Sequence, residues 1–191
     1  MTSSAVKDIV CAHSPDSDDA FMFYGLATRK IRSRFVNIKH VLEDIESLNR
    51  KALEGVYELT AISYHAYPYV ADKYALLPHG ASIGDKYGPI LVPREPREAS
   101  EIGKMKIAVP GELTSAYLAL RIYNRDFEHV VVPFDQIIEA VQRGDVDAGP
   151  LEQQPQVVQA LHVANGRQRV LAAHPPDAVG HLRRWAHPDH G

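Results

Sequence analysis

Short runs rich in β-branched residues alternate with helical patterns over most of the chain, and this alternation limits the folds that it can adopt. Lys7–His13 (KDIVCAH) and Phe35–Val41 have the composition of strands, whereas Asp18–Ala27 and Asp44–Glu54 have helical patterns. Parallel strands need long crossover connections, and helices supply them. The sequence therefore predicts an α/β protein with mostly parallel or mixed sheets.

The alternation is interrupted by the polar, proline-bearing residues 93–105, which begin PREPREASEIGK. We expect this segment to be a hinge or linker, with residues 1–92 forming a first, incomplete α/β lobe and residues 106–149 part of a second one. The other predicted strands are Glu58–Ser63, Tyr74–Leu77, Ile90–Val92, Lys106–Val109, His129–Val132 and Val146–Ala148, and the other predicted helices are Thr114–Asn124 and Asp135–Arg143.

The composition changes after Gly149. Every lysine, tyrosine, isoleucine and phenylalanine precedes Pro150, whereas residues 150–191 contain five of the ten histidines and five of the thirteen prolines. Such a segment has too little apolar periodicity to offset its ordering entropy. We therefore expect residues 150–191 to form an atypical, poorly ordered tail.

Charge and cysteine content exclude several classes of partner. The net charge is −3 without a basic stripe, which argues against nucleic acid, and no apolar run approaches the length of a membrane span. Cys11 is the single cysteine, in a predicted buried strand, and we expect it to be inert. The first fifteen residues do not resemble a signal peptide, so we expect a cytoplasmic protein. The oligomeric state stays open.

Three carboxylates lie close together in the loop Ser14-Pro-Asp16-Ser-Asp18-Asp19, between a predicted strand and helix. They could indicate a metal site, but the spacing of a calcium loop fails because Ala20 and Phe21 stand where an acid and a glycine are needed. The alternative is a binding loop in which Ser14 faces a cleft and the aspartates cap the helix. We expect no metal.

A second strand–turn–helix segment, Pro110–Ala116 (PGELTSA), places two hydroxyls at a predicted helix start. Thr114 and Ser115 could hold a carboxylate or phosphate there, because helix starts present backbone N–H groups and a positive dipole end. An ordinary helix cap would have the same sequence.

A third segment follows a predicted strand end, where open α/β sheets bind ligands. It runs Ala61-Ile62-Ser63, and the tyrosines after it could stack on an aromatic ligand or serve only in packing. His65 is expected to be structural. Asn49 lies inside a predicted helix, where an amide carries a mild cost, so a polar role is possible.

Taken together, these motifs closely resemble the 1,4-dihydroxy-6-naphthoate synthase family of the futalosine route to menaquinone. The resemblance covers residues 1–149 and rests on five segments in order: Ser14–Tyr24 (SPDSDDAFMFY), Val41–Asn49 (VLEDIESLN) with Ala52–Gly55 (ALEG), Ser63–Tyr67 (SYHAY), Val109–Tyr117 (VPGELTSAY) and Gly144–Gly149 (GDVDAG). It is specific as a set, and weak for any single segment.

The resemblance implies a two-lobed fold like that of type II periplasmic binding proteins, here C-terminally incomplete. It also implies a carbon–carbon lyase that converts cyclic dehypoxanthine futalosine to 1,4-dihydroxy-6-naphthoate without a cofactor. In the family, the strand end and the helix start contact this aromatic carboxylate substrate, the helix start at its carboxylate. The resemblance thus implies that Ala61, Ile62, Ser63, Thr114 and Ser115 bind substrate. To these we add Ser14, from its loop at a helix start, and Asn49, from its amide inside a helix, as expected substrate-binding residues.

The family pattern breaks after Gly149, where the family's general base is a histidine. Here Pro150-Leu-Glu152-Gln-Gln-Pro155 follows, and the next histidine is His162. We therefore assign no catalytic residue and expect the catalytic activity of this chain to be impaired. The departure from the family after Gly149 could come from a frameshift, a truncation or a genuine extension. Two alternatives stay open: a solute-binding protein of the same fold and a chorismate dehydratase-like enzyme.

Overall fold

The computed structural model describes residues 6–78, 80–83 and 88–151. The chain divides into two compact units. The first comprises residues 1–84 together with 113–115, and the second comprises residues 85–112 together with 116–191. The predicted tail lies outside the described residues from position 152 onward.

The first unit is built on a parallel sheet of three strands in the order β2-β1-β3. Cys11 of the central strand pairs with His40 on one side and with Leu59 on the other. Two helices and a 3₁₀ turn, Tyr67–Tyr69, connect or follow these strands. The bounds are β1 Lys7–His13, α1 Ser17–Ala27, β2 Val36–Leu42, α2 Ile45–Glu54 and β3 Leu59–Thr60.

Helix α2 has well-defined ends. At its start, the Asp44 carboxylate accepts hydrogen bonds from the backbone N–H and the hydroxyl of Ser47, at 3.0 and 2.6 Å. At its end, Gly55 has a φ of 73°, the left-handed conformation that glycine adopts without strain. Leu48 and Ala52 are buried. The burial of these two residues shows which face of α2 is turned toward the core.

The second unit contains a mixed four-stranded sheet in the order β4-β7-β5-β6, in which only the β4–β7 pairing is antiparallel. Its 3₁₀ helices are Ala99–Lys104 and Phe134–Gln136, and the first residue of α3 belongs to the first unit. The bounds are β4 Ile90–Pro93, β5 Lys106–Val109, α3 Ser115–Tyr123, β6 Glu128–Val131, α4 Ile137–Arg143 and β7 Ala148–Leu151.

The core of the second unit forms on both faces of β5. Ile107 and Val109 contribute to one apolar cluster, whereas Ala108 packs with Ile137 and other residues of α4 in a second one. Gly149 belongs to the same packing, because a Cβ atom there would lie 2.3 Å from the Cγ2 atom of Ile137. The absence of a side chain at Gly149 therefore allows α4 to approach the sheet closely.

The lobe boundaries differ from those expected from the sequence. Ile90–Pro93 pairs with Ala148–Leu151 in the second unit rather than completing the first. The expected linker also lies within the second unit, because Ile102 is buried in its core while the charged residues around it remain largely exposed. The polar composition of 93–105 was thus a poor guide, because Ile102 and Met105 both belong to the buried apolar cluster.

Two smaller expectations also need correction. Tyr74–Leu77 forms no strand, and Leu76 and Leu77 are exposed. The tail does not begin at Pro150, because Pro150 and Leu151 are buried within β7 and pair with Leu91 and Ile90.

Candidate functional site

The carboxyl ends of the three parallel strands of the first unit lie at one edge of the sheet. Pairing continues just beyond the strands: the Glu43 N–H donates to the His13 carbonyl at 3.1 Å, and the Ala61 N–H donates to the Ala12 carbonyl at 2.8 Å. The segments that begin at Ser14, Glu43 and Ala61 therefore leave the sheet side by side. Open α/β sheets bind ligands at this edge.

The loop after β1 is closed by its own acidic side chains. The Ser14 N–H donates to the Asp19 carboxylate at 2.7 Å, and the Ser14 hydroxyl donates to Asp16 at 2.5 Å. Burial raises the pKa of Asp19 above its usual value. Asp16 stands at the N-cap of α1 without capping it through its side chain. Among the described residues, no three acids, histidines or cysteines are grouped to hold a metal ion.

Asn49 connects two segments that are far apart in the sequence. Its side-chain carbonyl accepts from the Ser63 N–H at 2.9 Å, and its amide nitrogen donates to the Ser63 hydroxyl at 3.0 Å and to the Leu113 carbonyl at 3.3 Å. The residue is fully buried. The end of the β3 segment and the start of the 113–115 segment are thus held by one amide group.

Glu46 lies one helical turn before Asn49 and holds the other side of Leu113. Its carboxylate accepts from the Leu113 N–H at 3.1 Å, and its second oxygen lies 2.9 Å from the Arg50 guanidinium. Glu46 is buried, whereas more than half of the Arg50 side chain is exposed. Two side chains of α2 therefore bond both backbone polar groups of Leu113.

The structure gives the expected binding residues different hydrogen-bond partners and different degrees of burial. Asn49 bonds Ser63 and the Leu113 carbonyl. Thr114 and Ser115 directly follow Leu113 in the chain; Thr114 is buried, whereas Ser115, the first residue of α3, is exposed. Ser14 lies at the same sheet edge, but its hydroxyl and N–H bond within its own loop. Ala61 and Ile62 are partly buried and directly precede Ser63, and the Ala61 N–H donates to the Ala12 carbonyl in the sheet.

The aromatic residues after Ser63 have different environments. Tyr64 and Tyr69 are largely exposed and Tyr67 is partly buried. The His65 ring lies edge-on to Tyr69 with 6.1 Å between ring centroids. The exposed faces of Tyr64 and Tyr69 are therefore accessible to a ligand, whereas Tyr67 contributes partly to packing.

Sequence reasoning missed Glu46. Its signal was present: Glu46 and Asn49 are three residues apart, so they lie on neighbouring turns of one helix face. Both are polar, and that face also carries Ala52 and Leu53. A polar pair at this spacing beside an apolar stripe indicates a buried polar contact with another segment.

A pair of histidines lies beneath this edge of the sheet. The rings of His13 and His40 approach at 3.0 Å between Nε2 and Nδ1, and His13 stacks on Phe23 with 4.2 Å between centroids. Burial and then the neighbouring His13 lower the pKa of His40. On β1, the strand that carries His13, burial raises the pKa of the Cys11 thiol to about 11, which agrees with an inert thiol.

Comparison with known proteins identifies the family. A family model described as menaquinone biosynthesis matches residues 9–151. The chain belongs to this family. It is similar to the 1,4-dihydroxy-6-naphthoate synthases of Thermus thermophilus, with 43% identity over 71% of this chain and 49% of that protein, and of Streptomyces coelicolor, with 35% identity over 72% and 50%. The chain thus spans about half the length of the curated relatives it matches.

Solved structures extend the comparison to the fold. A crystal structure of a protein from Archaeoglobus fulgidus has 48% identity and a TM-score of 0.75, over 81% of this chain and 57% of that one. The alkanesulfonate-binding protein of Xanthomonas axonopodis has 18% identity and a TM-score of 0.64, over 88% and 62%. The fold is therefore of the periplasmic solute-binding type. None of the helices in the described part of the chain is long and apolar enough to cross a membrane.

Proposed function

We propose that this chain binds the aromatic carboxylate substrate of 1,4-dihydroxy-6-naphthoate synthase, a carbon–carbon lyase acting on cyclic dehypoxanthine futalosine. The observation that carries the proposal is the Asn49 side chain, which bonds both Ser63 and Leu113. It brings a hydroxyl-bearing strand end and a hydroxyl-bearing helix start together in the first unit. These are the two segments that contact substrate in the family that the sequence resembles.

The chemistry of the helix start suits a carboxylate. Thr114 immediately precedes α3 and Ser115 is its first residue, so both hydroxyls stand at the helix start, where the dipole favours negative charge. Hydrogen bonds to a charged acceptor are stronger than neutral ones, about 1.5–3 kcal/mol each in net terms. We therefore assign the carboxylate to Thr114 and Ser115 and the remainder of the ligand to Ala61–Ser63 and the neighbouring tyrosines.

Catalytic turnover depends on a general base, which ligand binding does not require. In the family a histidine just after the glycine that corresponds to Gly149 serves as general base, and such a base contributes roughly 10²–10⁴-fold in rate. In this chain Gly149 is followed by Pro150 and Leu151, which are buried in β7 and carry no proton-transfer group. We propose that the chain binds the ligand and turns substrate over at a strongly reduced rate.

Threonine-to-valine substitution tests the binding site because it removes a hydroxyl while nearly keeping the shape. Thr114→Val should weaken binding of 1,4-dihydroxy-6-naphthoate about fivefold or more, measured by isothermal titration calorimetry under reducing conditions. Thr28→Val is the matched control: its hydroxyl donates to the Tyr24 carbonyl at the exposed end of α1, away from the sheet edge. Equal affinities in the wild-type chain and the Thr114→Val variant would remove this site from consideration.

Product analysis distinguishes the activities. The purified chain is incubated with cyclic dehypoxanthine futalosine and, separately, with chorismate, and products are separated by chromatography. Slow or no release of 1,4-dihydroxy-6-naphthoate, together with binding of that product, fits the proposal. Conversion of chorismate would favour the dehydratase alternative, and binding of small anions without binding of the naphthoate would favour a solute-binding protein.

A further inference from the structure

Helix α2 bonds both backbone polar groups of one residue in a segment more than sixty positions away. The Glu46 carboxylate accepts from the Leu113 N–H at 3.1 Å, and the Asn49 amide donates to the Leu113 carbonyl at 3.3 Å. Both side chains are buried, and both start from a helix whose ends are capped. We call the Glu46–Asn49 pair the Leu113 clamp.

The clamp acts on the peptide planes on either side of Leu113. A peptide bond is planar and trans, so its carbonyl and N–H point in opposite directions. The bond from Asn49 to the Leu113 carbonyl therefore also fixes the direction of the Thr114 N–H, which belongs to the same peptide plane. The bond from Glu46 fixes the preceding plane in the same way, so that the backbone cannot rotate about Leu113 without losing one of these two partly buried bonds.

The charge of Glu46 needs compensation if an anion is to bind nearby. An unpaired carboxylate close to a carboxylate subsite would repel the ligand, because Coulomb interactions are strong where water is excluded. The Arg50 guanidinium lies 2.9 Å from the Glu46 oxygen and forms an ion pair with it. Glu46 can therefore serve as a hydrogen-bond acceptor for the Leu113 N–H while its negative charge is offset by Arg50, whose side chain is largely exposed to solvent.

We infer that Glu46, acting with Asn49, is a positioning residue that gives the Thr114–Ser115 helix start its preference for a carboxylate over a neutral group. This role rests on the proposed function. Glu46 touches no ligand group in this scheme; it aligns the donors that do. Its loss should therefore reduce carboxylate binding selectively, because a neutral ligand depends less on the alignment of several charge-assisted bonds.

Two substitutions at Glu46 separate the hydrogen bond from the charge. Glu46→Gln keeps an oxygen that can accept the Leu113 N–H, whereas Glu46→Leu keeps the approximate size and removes the acceptor. Affinities are measured for the probe pair 2-naphthoate and 2-naphthamide, which differ in charge at nearly constant shape. We expect Glu46→Leu to weaken 2-naphthoate at least fivefold and 2-naphthamide less than twofold, and Glu46→Gln to stay within twofold of wild type for both.

Amide hydrogen exchange tests the clamp without a ligand. In Glu46→Leu the Leu113 and Thr114 amides should exchange faster, while Glu46→Gln should retain most of the wild-type protection. Arg50→Ala is the control for loss of the ion pair alone, and it should leave exchange at Leu113 unchanged. A protein merely destabilised as a whole would show faster exchange throughout the first unit.

The outcomes are distinguishable. Equal weakening of both probes in Glu46→Leu, or unchanged exchange at Leu113, would overturn the role of Glu46 even though the wild-type chain binds 2-naphthoate. Failure of the wild-type chain to bind either 2-naphthoate or 1,4-dihydroxy-6-naphthoate would overturn the proposed function, and the inferred preference with it. Selective loss of 2-naphthoate binding with rescue by glutamine would support both.

Discussion

Replacing Asn49 by alanine tests whether one buried amide holds the site together. The substitution removes three hydrogen bonds and leaves the Ser63 N–H and the Leu113 carbonyl without their partner. A buried polar group left unsatisfied costs about 1–3 kcal/mol, and the vacated volume adds to this. Partial relaxation around the gap recovers some of the loss, so we expect a net destabilisation of about 3 kcal/mol.

The assay is urea denaturation at pH 7, followed by far-UV circular dichroism, for Asn49→Ala and a matched control. The control is Asn37→Ala, which removes an asparagine whose amide donates to Asp8 at 2.9 Å on an exposed part of β2. Exposed bonds of this kind contribute little, so the control should lose less than about 0.5 kcal/mol. A loss in Asn49→Ala no larger than in Asn37→Ala would refute the reasoning.

Two further predictions concern stability. The pKa of His40 is lowered in the folded chain, so as the pH falls through about 6.5 the unfolded chain takes up a proton first and the stability of the folded chain decreases. The substitution His40→Asn should therefore flatten the pH dependence of the unfolding midpoint between pH 7 and pH 5, and an unaltered slope would contradict this. Gly149→Ala should cost about 1–3 kcal/mol in thermal unfolding because the new Cβ meets Ile137 at 2.3 Å. Gly88→Ala, whose Cβ would meet nothing within 4 Å, is the control, and equal midpoints would argue against the close packing at Gly149.

The sequence predicted most of the elements, because each carries its own local pattern. Lys7–His13 and Lys106–Val109 match the predicted strands at both ends, and α2 ends at the predicted Glu54 and begins one residue after the predicted Asp44. The failures concern long-range pairing. Ile90–Pro93 has the composition of any short apolar strand, and nothing local indicates that it pairs with residues 148–151 in the second unit.

Residues of the candidate site were singled out one by one from the sequence, without their connections, and their role in binding stays a prediction. Ser63, Thr114 and Asn49 were each identified from local rules about strand ends, helix starts and polar residues inside helices. That the Asn49 amide bonds the other two segments depends on how α2 is rotated about its axis, which apolar spacing defines only approximately. Glu46 was overlooked because a glutamate in the first turn of a helix is ordinarily explained by the helix dipole.

Binding and turnover should be separable in this chain, because they depend on different segments. Every residue assigned to ligand binding lies between Ser14 and Ser115, whereas the family's general base follows the glycine that matches Gly149. A chimera that carries a relative's sequence after Gly149 should therefore gain release of 1,4-dihydroxy-6-naphthoate from cyclic dehypoxanthine futalosine with little change in naphthoate affinity. If instead the chimera gained affinity and turnover in parallel, the binding residues proposed here would be insufficient, and part of the carboxylate site would have to come from the segment after Gly149.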